Sequence, residues 1–335
     1  MPGIAVPDCY YHSDKMTLHI FNPENDMALA DGGSGYTAPA TIRQMRDELH
    51  WLPLWWAKDD DLVWNGEDRI TLSEGDEIRP WGWSAALVHQ LKQAGVDEKF
   101  LPSPDQLGSL RRLSHRQTAV KALAQCREEG LLGERLAGET LLCRSEQEVE
   151  EALVRWPEAL LKSPWSSSGR GLMRSDAPHR QEWVRNILAR QESVVVERWL
   201  HKLADFALEY ECDGQGGVEY QGLSLFYTNP QGAYLGNWVA PEVQKFQWLA
   251  QYIDPACLVE VRRWWEDRLK GYAYKGPVGI DMMLCQEGGI CPCVEINWRM
   301  TMGRVAAMLN DQGKYGRLVL EYVYGHYSAE VEAFG

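Results

Sequence analysis

The sequence predicts a mixed α/β and α+β fold, and three observations point to it. Strand-like and helical segments alternate through residues 17–94, the pattern of an α/β layer. Strand-like runs then follow one another between residues 194 and 237. Finally, Gly276 to Arg299 reads as two long strands joined by Glu287-Gly288-Gly289, the turn chemistry of a short hairpin. A chain of 335 residues with 45% hydrophobic residues can bury a sizeable core and divides into two or three domains or subdomains.

Residues 1–15 lack periodicity and read as a flexible tail, with Met16 directly before the first strand, Thr17 to Phe21. That strand runs into Asn22-Pro23-Glu24-Asn25-Asp26. Ligands in open α/β sheets bind beyond the carboxyl ends of strands, so this polar cluster is a candidate substrate loop; the alternative is a helix start capped by Asn25 or Asp26. Ala38 to Leu49 is a helix, and Leu52 to Trp56, Asp61 to Trp64 and Ile70 to Leu72 are strand-like or turn-like pieces. Ser84 to Ala94 is an amphipathic helix ended by Gly95. Trp81-Gly82-Trp83 reads as core or interface aromatics rather than as a stacking platform.

A second unit opens at Ser114, with a helix over Arg116 to Glu129. Ala159-Leu160-Leu161-Lys162 is a short apolar strand ending in a cation, and it enters Ser163-Pro164-Trp165-Ser166-Ser167-Ser168-Gly169-Arg170-Gly171. Without Gly-Lys-Ser/Thr this is not a Walker A loop; taken alone it could be an ordinary Ser/Gly surface loop. Val194 to Leu200 is a buried strand, strands follow over Phe206–Glu211, Tyr220–Tyr227 and Ala233–Asn237, and Asp254-Pro255 is the N-cap and first residue of a helix to Lys270. After the hairpin, Thr301-Met302-Gly303-Arg304 starts a helix whose N-terminus could hold an anion.

The hairpin carries the chemistry. Side chains alternate in a strand, so Glu295, Asn297 and Arg299 share one face while Val294, Ile296 and Trp298 share the other. With a three-residue loop, Gln286 pairs with Ile290 and Asp281 falls opposite Glu295. Facing carboxylates repel unless a cation lies between them. Two hard oxygen ligands with open positions suit Mg²⁺, whose shell water and phosphate oxygens complete, so a nucleotide is expected with the metal.

Glu295-Ile296-Asn297-Trp298-Arg299 resembles the Glu-x-Asn-x-Arg motif of the ATP-grasp superfamily, with Asp281 in the place of its other metal-binding carboxylate. The family usually has Pro where Trp298 stands. The resemblance covers about residues 112–310. It implies an ATP-grasp fold, with an N-terminal α/β domain at 16–113, a small lid subdomain at 114–198, and a central antiparallel domain carrying the metal site at 199–335. It also implies ATP and Mg²⁺ as cofactors, with Asp281, Glu295 and Asn297 on the metal. Lys162 and Arg116, the latter in place of the family's lysine and with Lys121 as its alternative, would neutralise phosphate, while Ser166, Ser167, Ser168 and Gly169 would close over it. The backbone near Glu197 and Trp199 would read adenine, Asp205 would touch ribose or the metal region, and Arg299 would stabilise an acyl phosphate.

The implied activity is that of a carboxylate-amine ligase acting on small-molecule or peptide acids and amines. A phosphotransferase of the same fold, or a non-catalytic ATP-binding protein, are the rivals. The net charge of -14, without runs of lysine or arginine, lacks the footprint of a nucleic-acid binder. No apolar run approaches a membrane span and no basic, then apolar, N-terminal segment is present, so a cytoplasmic protein is expected. Of eight cysteines only Cys291-Pro292-Cys293 is close-spaced, weak grounds for zinc, and reduced thiols are expected. Whether the chain pairs with copies of itself is left open.

Overall fold

The computed structural model describes residues 15–166, 171–229, 232–286 and 288–334. The expected tail, apart from Lys15, and Glu287 of the hairpin turn therefore lie outside the described residues.

The first layer comprises β1 (Thr17–Ile20), α1 (Asn25–Asp31), α2 (Ala40–Leu49), β2 (Leu62–Val63), β3 (Glu77–Pro80), α3 (Ala85–Gln93) and α4 (Pro104–Leu113). β1 lies between β2 and β3 and is parallel to both. Ser84 caps α3 through the Leu87 N–H, and Gly95 leaves the helix at φ +99°, the conformation glycine adopts without strain. Two of the pieces left between strand and turn take definite form here. Leu52–Trp55 is a 3-10 turn rather than a strand-like piece, since Pro53 removes a ladder donor and Trp51 packs edge-on against Trp55. Ile70 is not in a strand either; its N–H pairs with Ala94 O beyond α3.

The second layer comprises α5 (Gln117–Glu128), β4 (Thr140–Cys143), α6 (Glu146–Arg155), β5 (Ala159–Lys162), β6 (Leu172–Arg174), α7 (Arg180–Gln191) and β7 (Val194–Arg198). Its sheet runs β4-β7-β5-β6, antiparallel throughout. The Val194 to Val196 run is buried on both faces, as β-branched residues in an inner strand should be.

The third layer comprises β8 (Lys202–Asp213), β9 (Val218–Thr228), β10 (Tyr234–Val239), α8 (Glu242–Leu249), α9 (Pro255–Leu269), β11 (Lys275–Cys285), β12 (Ile290–Asn297), α10 (Met302–Asp311), β13 (Gly316–Val323) and β14 (His326–Glu332). Its antiparallel sheet runs β12-β11-β8-β9-β10-β13-β14. One face, with Phe206, Leu208, Tyr210, Ile280, Met282 and Ile296, is buried with α5 and α9, whose Leu123 and Trp265 belong to the same core. The opposite face carries the odd-numbered β8 residues Asp205, Glu209 and Glu211 together with Asp281, Glu295 and Asn297. α10 covers the far end of that face, where Val305, Ala306 and Leu309 meet Val239 and Leu318. As expected, Asp254 caps α9, accepting from the Ala256 N–H with Pro255 at the first position.

The hairpin places Asp281 opposite Glu295 as expected, but by another route. Leu284, not Gln286, is the last residue paired with Ile290, and Met283 faces Cys291. A register shift between Asp281 and Met283 restores the opposition. The longer loop and the bulge cancel.

Candidate active site

Asp281 and Glu295 meet on the polar face of the large sheet, where burial drives the Asp281 carboxyl well above the usual carboxylate range. The neighbouring Glu295 and Glu209 charges push the same way, while a bond from Asn297 and the charge of Arg299 oppose it. A site that disfavours its own ionised carboxylate has a place for an added cation. Asn297 Nδ2 donates to Asp281 Oδ2 at 3.0 Å, and Asn297 Oδ1 accepts from Arg299 Nη2 at 3.0 Å. The two carboxylates, rather than the amide, therefore turn oxygen toward the site. Among the described residues no three His, Cys, Asp or Glu side chains converge as a complete metal cage. Two carboxylates fit a cation that draws its remaining ligands from water and phosphate. Trp298, where the family usually has proline, faces the core and lies edge-on to Tyr272 and Tyr274, at 5.0 Å from each.

Arg116 does more than offer charge. Buried at the start of α5, it donates from Nη1 to Glu295 Oε1 at 3.0 Å, from Nε to Ser163 O at 3.1 Å, and from Nη2 to Ser166 O and Oγ at 3.2 and 3.1 Å. Its planar fork thus ties the serine loop to the Glu295 carboxylate, a geometry lysine could not reproduce. The neck of that loop is closed by Ser163 N–H donating to Gly171 O at 2.8 Å. Ser166 is at the site; Ser167, Ser168 and Gly169 lie outside the described residues.

Lys162 is 5% exposed and its Nζ donates to Glu197 Oε2 at 2.7 Å. The Glu197 side chain is thus the partner of Lys162, and its backbone sits in the ladder between β4 and β5. Trp199 N–H donates to Glu158 O at 3.0 Å, and the Trp199 ring carries the Arg174 guanidinium 4.1 Å from its centre. The Trp199 amide is thus spent inside the fold. Asp205 accepts from Thr228 Oγ1 at 2.8 Å and from Lys202, two residues along β8 from Ala207, the partner of Asp281.

Arg299 is held from the first layer. Asp26 accepts from Arg299 Nε at 3.0 and 3.1 Å and lies 2.8 Å from Nη2. Burial works against the Arg299 charge, yet the Asp26, Glu295 and Asp281 carboxylates together outweigh it and hold the guanidinium protonated. The Asn22-Asp26 cluster is therefore a brace. Neither Asn25 nor Asp26 caps α1, whose N-cap position is Glu24 without a side-chain bond. Asn22 Nδ2 donates to Gly82 O at 2.8 Å, and Met300 N–H donates to Trp81 O at 2.8 Å, so the Trp81-Gly82-Trp83 turn joins β1 to the residue after Arg299.

The anion at the N-terminus of α10 is internal. Glu209, 2% exposed, accepts from the N-cap Thr301 Oγ1 at 2.8 Å, and burial pushes its carboxyl up to about 7 despite that bond and the Arg304, Arg299 and Lys245 charges. Side chains at Gly303 or Gly279 would collide with this carboxylate, since a Cβ would sit 2.2 or 2.8 Å from its oxygens. Sequence reasoning missed Glu209 and Glu211, and left Asp26 between a substrate loop and a helix cap. Asp205, Glu209 and Glu211, all on the odd-numbered face of the β8 stretch, were the available signal for the first two.

No family model matches the chain. The [Butirosin acyl-carrier protein]--L-glutamate ligase of Niallia circulans is 25% identical over 227 residues, covering 60% of this chain and 50% of that protein. The chain thus spans half the length of this curated relative. Among solved structures, N5-carboxyaminoimidazole synthetase from Staphylococcus aureus complexed with ADP matches with a TM-score of 0.52 and 12% identity, over 92% of this chain and 83% of that one. Biotin carboxylase from Campylobacter jejuni, in its β,γ-ATP complex, matches with a TM-score of 0.51 and 13% identity, over 88% and 69%. At these identities the likeness is one of fold.

Proposed function

We propose that this chain, whose fold is that of the ATP-grasp enzymes, is an ATP- and Mg²⁺-dependent ligase that joins a carboxylate to an amine through an acyl phosphate and releases ADP and phosphate. The reading rests on one observation: Asp281 and Glu295 face each other with Arg116 bonded to one of them and Asn297 linking the other to Arg299. Support comes from the relative that bears the name of a ligase and from fold neighbours solved with ADP or an ATP analogue.

In this reading residues 16–113 brace the site, 114–198 form the lid and 199–335 carry the metal ligands. Asp281 and Glu295 would hold Mg²⁺, with Asn297 beside them; the ion supplies charge neutralisation for in-line phosphoryl transfer. Arg116 keeps the loop carrying Ser166 against Glu295 and orients that carboxylate. Lys162, fixed by Glu197, brings its cation to the lid side, and Asp205 stands further along the same face. Arg299, locked by Asp26, meets the charge that develops on the acyl phosphate. No side chain is needed as a nucleophile. We place the protein in the cytoplasm: Cys126, Cys143, Cys212, Cys257, Cys291 and Cys293 are buried free thiols, and no helix among the described residues is long and apolar enough to cross a membrane. The test is ADP release by the full chain with ATP, Mg²⁺ and a panel of amino acids, short peptides and amines. Release that needs both the metal and an acid is expected, and none with any panel member would reject the reading.

A further inference from the structure

Trp165 sits in the serine loop, but its side chain is seated elsewhere. Its indole Nε1 donates to Arg111 O at 3.2 Å, its ring carries the Arg111 guanidinium 4.4 Å from its centre, and the His115 ring meets it edge-on at 4.4 Å. Its backbone N–H donates to Oε1 of Gln191, the last residue of α7, at 3.1 Å. The loop is thus anchored to the end of α4 by contacts separate from those that Arg116 makes to Ser163 and Ser166.

Arg111 faces two ways. While its carbonyl and the face of its guanidinium hold Trp165, its N–H groups reach α1: Nε donates to Leu29 O at 2.7 Å and Nη2 to Ala30 O at 3.0 Å. These carbonyls belong to the last turn of α1, where a helix leaves C=O groups without partners of its own. α1 has seven residues, no side-chain bond at its N-cap and no basic residue in its last turn. So short a helix is marginal by itself, and it draws the cation for its C-terminal end from α4. Gly32 ends α1 at φ +77°, and a Cβ there would stand 3.1 Å from Arg111 Nε, so the residue that turns the chain also makes room for the guanidinium. Asp26 lies four residues before Ala30, one turn back along the same helix, and holds Arg299. Trp165, Arg111, α1 and Asp26 therefore form an unbroken series of contacts from the serine loop to Arg299.

We propose that Arg111 is a positioning residue that couples the serine loop to Arg299: nucleotide that orders the loop steadies Trp165, the two Arg111 bonds pass this to α1, and Asp26 then fixes Arg299. The assignment rests on the reading above that nucleotide binds under the serine loop and that Arg299 meets the acyl phosphate. Lysine at 111 could set its ammonium over the Trp165 ring but has no planar fork with which to meet two adjacent carbonyls. Capping and coupling differ in what they predict. If Arg111 only capped α1, its loss would loosen the helix equally with and without nucleotide; if it couples, its loss removes the response of α1 to nucleotide.

The test is hydrogen exchange on the full chain in Mg²⁺, with and without a slowly hydrolysed ATP analogue, read at the loop peptide containing Trp165 and at the peptide covering Leu29 to Gly32. In the wild type the analogue should slow exchange in both, and in α1 by about fivefold or more, the lower end of ordinary coupling between sites. In Arg111→Met, which keeps an unbranched stem against Trp165, the loop should still respond and α1 should not. Trp165→Leu leaves the α1 cap in place and removes the ring and its N–H, so it should uncouple α1 in the same way and serves if Arg111→Met does not fold. An α1 peptide that ignores the analogue in the wild type while the loop responds, or an α1 response that survives in either folded variant, would overturn the proposal. Turnover is not measured, so loss of the α1 response leaves the ligase reading standing, and a chain that binds the analogue but forms no ADP leaves this coupling standing.

Discussion

Glu209→Gln should make the protein more stable at alkaline pH, and the size of the effect follows from its surroundings. The carboxyl is pushed from 4.5 to about 7 in the fold, chiefly by burial. That displacement of about 2.5 pH units, at ~1.36 kcal/mol per unit, amounts to about 3 kcal/mol. The sign follows from where the proton is. Below the ordinary value of 4.5 the group is protonated in folded and unfolded chains alike, and the fold carries no penalty from it. As pH rises toward 7 the unfolded chain ionises while the folded one holds its proton, so stability is lost across that window. Glutamine retains an oxygen for Thr301 Oγ1 and does not titrate. Urea unfolding of both proteins in chelator should give similar stabilities near pH 4.5 and an advantage of about 3 kcal/mol for the variant at about pH 8. Parallel pH profiles for the two proteins would refute the argument that burial without adequate compensation dominates at this carboxylate.

Glu295→Gln keeps an acceptor for Arg116 but removes a metal-side charge, so turnover should fall roughly 100-fold or more while circular dichroism stays unchanged. Near-normal activity in the folded variant would reject the metal assignment. Gly82→Ala places a Cβ 2.3 Å from the Asn25 side chain, which is itself 1% exposed and has no space to yield. It should cost about 1–3 kcal/mol by urea denaturation, and an unchanged midpoint would mean that the brace around Asn22 is not rigid.

What the sequence disclosed and what it hid divide along chain separation. The hairpin was legible because alternation over Glu295, Asn297 and Arg299 is local, and opposed carboxylates imply a cation whatever the fold. Its register came out right at Asp281 although the loop length did not, because the bulge is invisible to pattern reasoning. The Asp254 cap and the Gly95 stop were legible for the same local reason. Arg116 was readable as a cation, but its bonds reach residues 47, 50 and 179 positions away. Asp26 and Arg299 are 273 positions apart, so the choice between a substrate loop, a cap and a brace could not be made from spacing. β3 escaped notice because Glu77-Ile78-Arg79-Pro80 has one apolar side chain in four residues besides proline and is held in place by pairing with β1. Trp298, where the family usually has proline, faces the core and packs on Tyr272 and Tyr274, although its buried indole N–H finds no partner there.

The most direct test of the central claim is the identity of the nucleotide product. The full chain is incubated with ATP, Mg²⁺, hydroxylamine and a panel of carboxylic acids, and the products are separated by chromatography. With Asp281 and Glu295 as the metal carboxylates and Arg299 beside them, the account predicts ADP together with a hydroxamate of one acid. AMP and pyrophosphate as the main products, or ADP with a stable phosphorylated compound that hydroxylamine does not intercept, would contradict it.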